Sequence, residues 1–288
     1  MSNRFAIVLT CTQGLIENVT AAFNGIELYG NKVDIHLLSK DMDKDYIKAL
    51  PSNYIVPDWK TEVVDPNKPK HKGGGWEVRY YRYTHIRKIK EQYDAVMTLD
   101  ADVFVVGNFM EHFERAYNEG VLIMPDNPRG IPANRAALNN VKGAASPPYH
   151  CHPFFFDPKK YDYIMADLYK WGLEEDYGDM ATLYRTLYRH GIHQDVVTLP
   201  NDLYCFTDWH FDNVEKTFDE QNRLILKYKG EQMVVVHRRW ANKNVRDKFV
   251  GDLGDKHREW GTHNVQTFKE SIDWLNTNGS IKFNRGQV

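Results

Sequence analysis

Apolar residues in this chain gather into short runs, and helical periodicity fills much of the space between them. Phe5-Ala6-Ile7-Val8-Leu9-Thr10 carries almost no polar alternation, which predicts a strand buried on both faces. Gly14 marks the turn after it. Ile16, Val19, Phe23 and Ile26 recur at helical spacing and predict a helix over 16–28. Val33 to Leu38 predicts a second strand. Strand, helix, strand at this spacing implies a parallel sheet with right-handed crossovers. Further strands are predicted at Ala95-Val96-Met97-Thr98, Val103-Phe104-Val105-Val106, Val121-Leu122-Ile123-Met124 and Val234-Val235-Val236. Trp76, Tyr80, Tyr83, Ile86 and Ile89 predict a helix from Trp76 to Tyr93 with these side chains towards the core. Arg79, Arg82, His85, Arg87 and Lys88 form its polar complement, most of it solvated. Another helix is predicted from Glu174 to His190, with Gly191 as its C-cap. Val265, Phe268, Ile272 and Leu275 outline a short amphipathic helix. The expected fold class is α/β, with a mostly parallel, Rossmann-like central sheet flanked by helices. Residues 1–250 form the main domain and residues 251–288 an extension packed on it.

Composition narrows the function. The chain has 288 residues, 42% of them hydrophobic, enough for one sizeable core. Its formal net charge of −2 gives no basic footprint of the kind nucleic-acid binders carry. The three cysteines, Cys11, Cys151 and Cys205, are widely spaced and odd in number, which fits a reducing compartment. The sequence enters its first strand without room for a signal peptide, and no apolar stretch approaches the ~20 residues of a membrane span. A cytoplasmic location without a membrane span is the expectation.

Ligands of parallel sheets bind at the carboxyl ends of the strands. Thr10, Cys11, Ser39 and Asp41 fall there. So do Asp100 and Asp102, in Leu99-Asp100-Ala101-Asp102, at the break between two apolar runs. A strand interior would not tolerate two unpaired carboxylates. At a strand end they can point into a cleft and hold Mg²⁺ or Mn²⁺, metals that commonly serve a substrate phosphate. A loop with two solvated aspartates is the competing reading. His237 ends the late apolar run, and Lys243 follows six residues on. Imidazole can join two carboxylates on Mn²⁺, and lysine supplies a point charge for phosphate; a strand-capping histidine beside a basic turn is the alternative. Lys72-Gly73-Gly74-Gly75 lacks the P-loop pattern and reads as a flexible loop. Pro125 to Tyr149, rich in proline, glycine, alanine and asparagine, has the length of a binding loop or lid.

Taken together, these residues resemble the nucleotide-sugar glycosyltransferases of the GT-A type. The nearest pattern is the glycogenin-like and galactosyltransferase group called family 8, with Leu-Asp-x-Asp after an apolar strand and a late H-x-x-G-x-x-K. Here the late motif keeps His237 and Lys243 and has Trp240 in place of glycine. The resemblance spans Phe5 to about Lys243. It implies Mn²⁺ (or Mg²⁺) held by Asp100, Asp102 and His237, with Asp100 also fixing ribose. It further implies a UDP-sugar donor whose diphosphate meets Lys243 and an arginine of the preceding helix. Arg82 lies nearest that position, with Arg79 one turn earlier. Where family 8 enters a strand through Asn-x-Gly, this chain has His150 and His152; zinc binding would need further ligands that the nearby sequence lacks, so an acceptor-pocket lining is the favoured reading and simple strand packing the alternative. Family 8 has Gly-Asp-Gln where this chain has Gly178, Asp179 and Met180. The same stretch resembles the Glu-Asp pair that supplies the base in inverting family 2 enzymes, so Glu175, Asp176 and Asp179 are candidate catalytic acids, Asp179 and Asp176 first. Retention is favoured slightly over inversion. The acceptor, whether glycan, protein, lipid or modified base, is not legible. The rival readings are a sugar-phosphate nucleotidyltransferase, a transferase acting on modified DNA bases, and a binding protein without turnover.

Overall fold

A computed structural model describes residues 3–11, 16–39, 54–56, 76–101, 103–127, 148–175, 179–205, 214–220 and 223–237. Gly14, Asp41, the Lys72–Gly75 run, Asp102, Asp176, Lys243, most of the Pro125–Tyr149 segment and the whole 251–288 extension lie outside the described residues, as do the side chains of Arg79, Glu175 and His237.

The elements follow in order: β1 (Phe5–Thr10), α1 (Ile16–Leu28), β2 (Asp34–Leu38), β3 (Tyr54–Ile55), α2 (Trp76–Ile89), β4 (Ala95–Leu99), β5 (Val103–Val105), α3 (Met110–Asn118), β6 (Leu122–Pro125) and β7 (Phe154–Phe156). Then come α4 (Asp162–Glu175), α5 (Asp179–Arg189), β8 (Val196–Leu199), a short turn of helix α6 (Asn201–Tyr204), the meander β9 (Val214–Phe218), β10 (Leu224–Tyr228) and β11 (Glu231–Gln232), and finally β12 (Val235–His237). Among the described residues the main sheet runs β3-β2-β1-β4-β7-β6-β8. β1 pairs in parallel with β2 and β4, and β6 with β8. β7 is the exception, antiparallel to both β4 and β6. β5 leaves this sheet and pairs antiparallel with β12.

The apolar runs are continuous because both faces of the sheet are covered. Phe5, Ile7 and Leu9 of β1 join Ile35, Leu37, Met97 and Leu99 under α1 and α3. The alternate residues Ala6, Val8 and Val96 pack under α2, α4 and α5. Two glycines permit close helix approach. A Cβ on Gly25 of α1 would lie 2.2 Å from the Val105 carbonyl oxygen of β5. A Cβ on Gly172 of α4 would lie 2.2 Å from the Tyr80 ring of α2.

Two expectations need correction. The segment expected as one helix over 174–190 belongs to two helices, α4 ending at Glu175 and α5 starting at Asp179. Gly191 does close α5, at φ 74°, with the Ile192 N–H bonded to the Leu187 carbonyl at 3.0 Å. Second, the polar face of α2 divides. Arg82 and His85 are buried, because α2 is covered by the sheet on one side and by α4 on another. Arg87 and Lys88 are exposed as expected, and Arg87 pairs with Asp162 at 3.0 Å.

Candidate active site

The carboxyl ends of β1, β2 and β4 form one edge, and β7 enters the sheet at the same edge because it runs the other way. Thr10 and Cys11 close β1 there, both buried, and the Cys11 N–H bonds the Leu38 carbonyl at 3.0 Å. Asp100 follows the last residue of β4, and its side chain is 27% exposed. The β4–β7 register sets Thr98 opposite Phe154. Two residues further along each chain, this brings His152 beside Asp100, with Nε2 3.3 Å from Oδ1.

Arg82 comes to the same point from α2. Its side chain is 1% exposed, its Nη1 lies 2.7 Å from His152 Nε2, and Asp100 Oδ1 is 3.7 Å away. His152 Nδ1 lies 2.9 Å from Thr98 Oγ1. A guanidinium has no acceptor, so Nε2 accepts from Arg82, and the neutral ring donates from Nδ1 to Thr98. Burial pushes the His152 pKa down to about 4, with the Arg82 charge adding to that and Asp100 and Asp179 opposing it. Burial also works against the charge of Arg82, but Tyr83, Asp100, Asp179 and Cys151 around it outweigh that, and its pKa is raised.

Asp179 approaches from the first turn of α5, where a carboxylate is favoured by the helix dipole. Its Oδ1 accepts the Met180 N–H at 3.0 Å. α5 is fastened to α2 by Tyr80 Oη and Thr182 Oγ1, 3.2 Å apart. Asp179, Cys151 and His152 bring a carboxylate oxygen, a thiol sulfur and a ring nitrogen within 4.8 Å of one another. Such a set could ligate a soft metal. Here the Arg82 guanidinium already supplies a cation against the His152 nitrogen, and burial, aided by Asp179 and Asp100, pushes the Cys151 thiol well above its usual pKa. A protonated thiol beside a fixed guanidinium is a poor metal ligand. Among the described residues the buried Tyr83 hydroxyl, beside the same cluster, has no hydrogen-bond partner.

β12 supplies the second chain segment at this edge. In the β5–β12 register His237 lies opposite Val103, the residue after Asp102. Residues 103 and 237 are thus partners in the backbone ladder although more than 130 positions apart in sequence. His150, half-buried, stands just before this cluster, its N–H bonded to the Pro125 carbonyl at 2.9 Å. His152, expected to line an acceptor pocket, has its ring inside the Arg82–Asp100–Thr98 group. Sequence reasoning passed over Thr98 and Cys151. Thr98 was findable, as the one polar residue in the β4 run; Cys151 left no such signal.

The architecture matches solved glycosyltransferases. The apo form of the bifunctional glycosyltransferase WbbM superposes with a TM-score of 0.55 at 14% identity, covering 88% of this chain and 50% of that one. An active-site mutant of LgtC gives 0.52 at 15% identity, covering 88% of this chain and 99% of that one. The glycosyltransferase GlyE of Streptococcus pneumoniae TIGR4 gives 0.51 at 15% identity, covering all of this chain and 66% of that one. This is the GT-A fold. The chain spans half the length of WbbM and nearly the whole of LgtC, the latter solved as a galactosyltransferase with donor and acceptor sugar analogs. No protein-family model and no curated protein sequence matches it. Within the GT-A fold the cluster around Asp100 occupies the edge where such sheets bind ligands. No helix among the described residues is long and apolar enough to cross a membrane.

Proposed function

We propose that this chain is a metal-dependent glycosyltransferase that moves a sugar from a nucleotide sugar, a UDP-sugar, to an acceptor. The observation that carries the reading is the β5–β12 register, which pairs His237 with Val103, the residue that follows the Asp100–Asp102 motif in sequence, at the ligand edge of a GT-A fold. Two aspartates and an imidazole are a fitting donor set for Mn²⁺ or Mg²⁺. Asp102 and His237 would hold the ion directly, and Asp100 would share it while orienting the ribose. When bound, the ion offsets the charge that develops on the departing diphosphate.

The remaining steps belong to the chain's own groups. Lys243 and Arg82 bring positive charge to the leaving diphosphate, the first from the segment after β12 and the second across Asp100. Thr10, Cys11, Asp41 and Arg79 belong to the nucleotide side. His150 stands towards the acceptor, while the buried His152 acts from beneath through Arg82. Asp179, at the start of α5, faces the reacting carbon of the sugar, and Asp176, three residues earlier in sequence, is the second candidate acid. Retention is the favoured outcome, since the His237–Lys243 spacing is the stronger likeness to family 8; Met180 in place of glutamine leaves Asp179 to orient the sugar.

A panel of UDP-sugars assayed for hydrolysis and transfer, with Mn²⁺ and with chelator, tests the reading. Turnover that requires metal and falls at least 100-fold in Asp102→Asn and His237→Ala supports it. Full activity of either variant in chelator removes the metal assignment, and no turnover or binding of any nucleotide sugar removes the function.

A further inference from the structure

The contact that organises the cluster is the one between two residues of unlike kind, a buried arginine and a buried neutral histidine. Arg82 could have been met at this point by a carboxylate alone. Asp100 Oδ1 stands 3.7 Å from Arg82 Nη1, beyond direct hydrogen-bond reach. The short contact is to His152 Nε2, at 2.7 Å. The other ring nitrogen, Nδ1, lies 2.9 Å from Thr98 Oγ1 and 3.3 Å from the same Arg82 Nη1, so the imidazole cannot turn without losing the Thr98 bond. The antiparallel entry of β7 is what puts it there, since a register of Thr98 with Phe154 leaves residue 152 facing residue 100.

The chemistry of the pair is specific. A neutral imidazole accepts one N–H of the guanidinium without cancelling its charge. A carboxylate in the same place would neutralise Arg82, and an apolar side chain would leave a buried donor unmet. With histidine the orientation of the guanidinium is fixed and its field remains directed at Asp100 and Asp179, both of which act on it.

We infer that His152 is the positioning residue of this site: it holds the Arg82 guanidinium in place, through a ring anchored on Thr98, so that its charge is available to a nucleoside diphosphate at the Asp100 edge. This rests on the nucleotide-sugar reading given above.

The full-length chain and three variants test it: His152→Leu, which removes both ring bonds; His152→Gln, which can still accept from Arg82; and Thr98→Val, which keeps shape and removes only the anchor. The probes are UDP and UMP, each with Mn²⁺, followed by calorimetry. His152→Leu is expected to weaken UDP about tenfold or more and UMP less than twofold. His152→Gln should stay within about threefold of wild type for UDP. Thr98→Val should shift UDP in the same direction as His152→Leu but less, near threefold, and it serves if His152→Leu does not fold. In an Arg82→Gln background, His152→Leu should add less than twofold, because the two residues act as one unit. Equal losses for UDP and UMP, or additive losses in the double variant, overturn the inference. A second readout does not need the ligand. In ¹⁵N-arginine-labelled protein, the Arg82 Nη signals should be resolved in wild type and His152→Gln, and averaged by rotation in His152→Leu or Thr98→Val. If wild type binds no UDP, the nucleotide-sugar reading falls and the signals alone judge the pairing; unchanged signals in both loosened variants overturn it.

Discussion

A buried guanidinium shows how much one residue's neighbours decide. In the sequence Arg82 was set apart from the other basic residues of its helix only by the family likeness, and its burial was not legible. Its burial follows from contacts that lie 18 to 97 positions away, at Asp100, His152 and Asp179, and no local pattern announces them. Arg82→Met keeps the length of the side chain and removes the charge. It should lower folding stability by about 1–3 kcal/mol, read from urea midpoints, because His152 Nε2 loses its donor in the interior. Nucleotide-sugar turnover should fall with it, and an Arg82→Met protein as active as wild type would place the diphosphate elsewhere. Asp100 and His237 were more legible, since a charged or metal-binding side chain at the end of an apolar run is visible in one dimension. That the chain at His237 returns to pair opposite Val103 was not, because it is set by pairing between β5 and β12. Lys243 makes a different forecast. If it contacts the β-phosphate, Lys243→Ala weakens UDP about tenfold and leaves UMP nearly unchanged. Equal losses for both nucleotides, measured by calorimetry, would assign Lys243 to the base, the ribose or the fold. Asp179→Asn separates two roles. A general base within reach of the acceptor hydroxyl would make its loss costly by 100-fold or more and would go with an inverted product. A smaller loss together with a retained anomer, read from the anomeric proton of the product, leaves Asp179 the task of orienting the sugar.

Elements were read best where a long periodic signal coincided with burial on one side, and worst where strands were short or helices were covered twice. The helix expected over 16–28 has the bounds Ile16–Leu28, and the first two strands fall where their apolar runs are. β8 and the β9–β11 meander were not anticipated. Val196 to Leu199 is only partly buried, and the meander mixes charges with apolar residues, so neither leaves the unbroken run that marked β1. α4 was missed as well. Its Asp162–Glu175 sequence carries apolar and aromatic residues around much of the helix, because it packs against both α2 and α5 and has no single dry stripe. That crossing gives a test at this scale. Gly172 lets the Tyr80 ring approach to a distance that a methyl group would occupy, and Tyr80 in turn anchors α5 through Thr182. Gly172→Ala improves helix propensity on paper by up to about 1 kcal/mol. Overpacking against a fully buried ring costs roughly 1–3 kcal/mol and should win. The expected result is a lower melting temperature, partly restored by Tyr80→Leu in the same chain. A stabilised Gly172→Ala protein would mean that the α2–α4 crossing is looser than its contacts imply.

For the molecule as a whole, the formal net charge is close to zero, so general charge repulsion contributes little to its pH response near neutrality. Specific buried groups dominate instead. Beneath the sheet face covered by α2, His85 Nε2 lies 2.9 Å from His36 Nδ1, and His36 Nε2 lies 2.9 Å from the Tyr93 hydroxyl. That hydroxyl donates to Asp34 at 2.9 Å, and Arg4 reaches Asp34 from outside at 3.1 Å. The chain of contacts therefore runs from the helix interior to the surface and ends on an ion pair. Burial lowers the His36 pKa to about 4, with Asp34 opposing the shift and Arg4 adding to it. Burial lowers that of His85 to about 3, and the neighbouring His36 adds to it. Both rings are neutral in the fold down to those values, whereas in the unfolded chain they take up protons below about 6.5. The unfolded state thus binds more protons between about pH 6.5 and 4, and the sign follows: stability falls as pH drops through that window and is insensitive to these two groups above it. Each histidine contributes a slope of up to about 1.4 kcal/mol per pH unit where it is charged only when unfolded. Asp162, whose carboxyl is held below its ordinary pKa by Arg87 and Lys90 against the effect of burial, loses its contribution only at lower pH and does not compete within the window. Urea midpoints measured at half-unit steps from pH 7.5 to 4.5 should therefore be flat above about 7 and decline steadily below 6.5. His152 and His112, whose pKa values burial also lowers, add to the same decline, so His85→Leu should remove about a quarter to a third of it while lowering the midpoint at pH 7.5, where the bond to His36 and the packing of the ring are lost. A decline of the same slope in His85→Leu would show that the acid sensitivity arises elsewhere in the molecule.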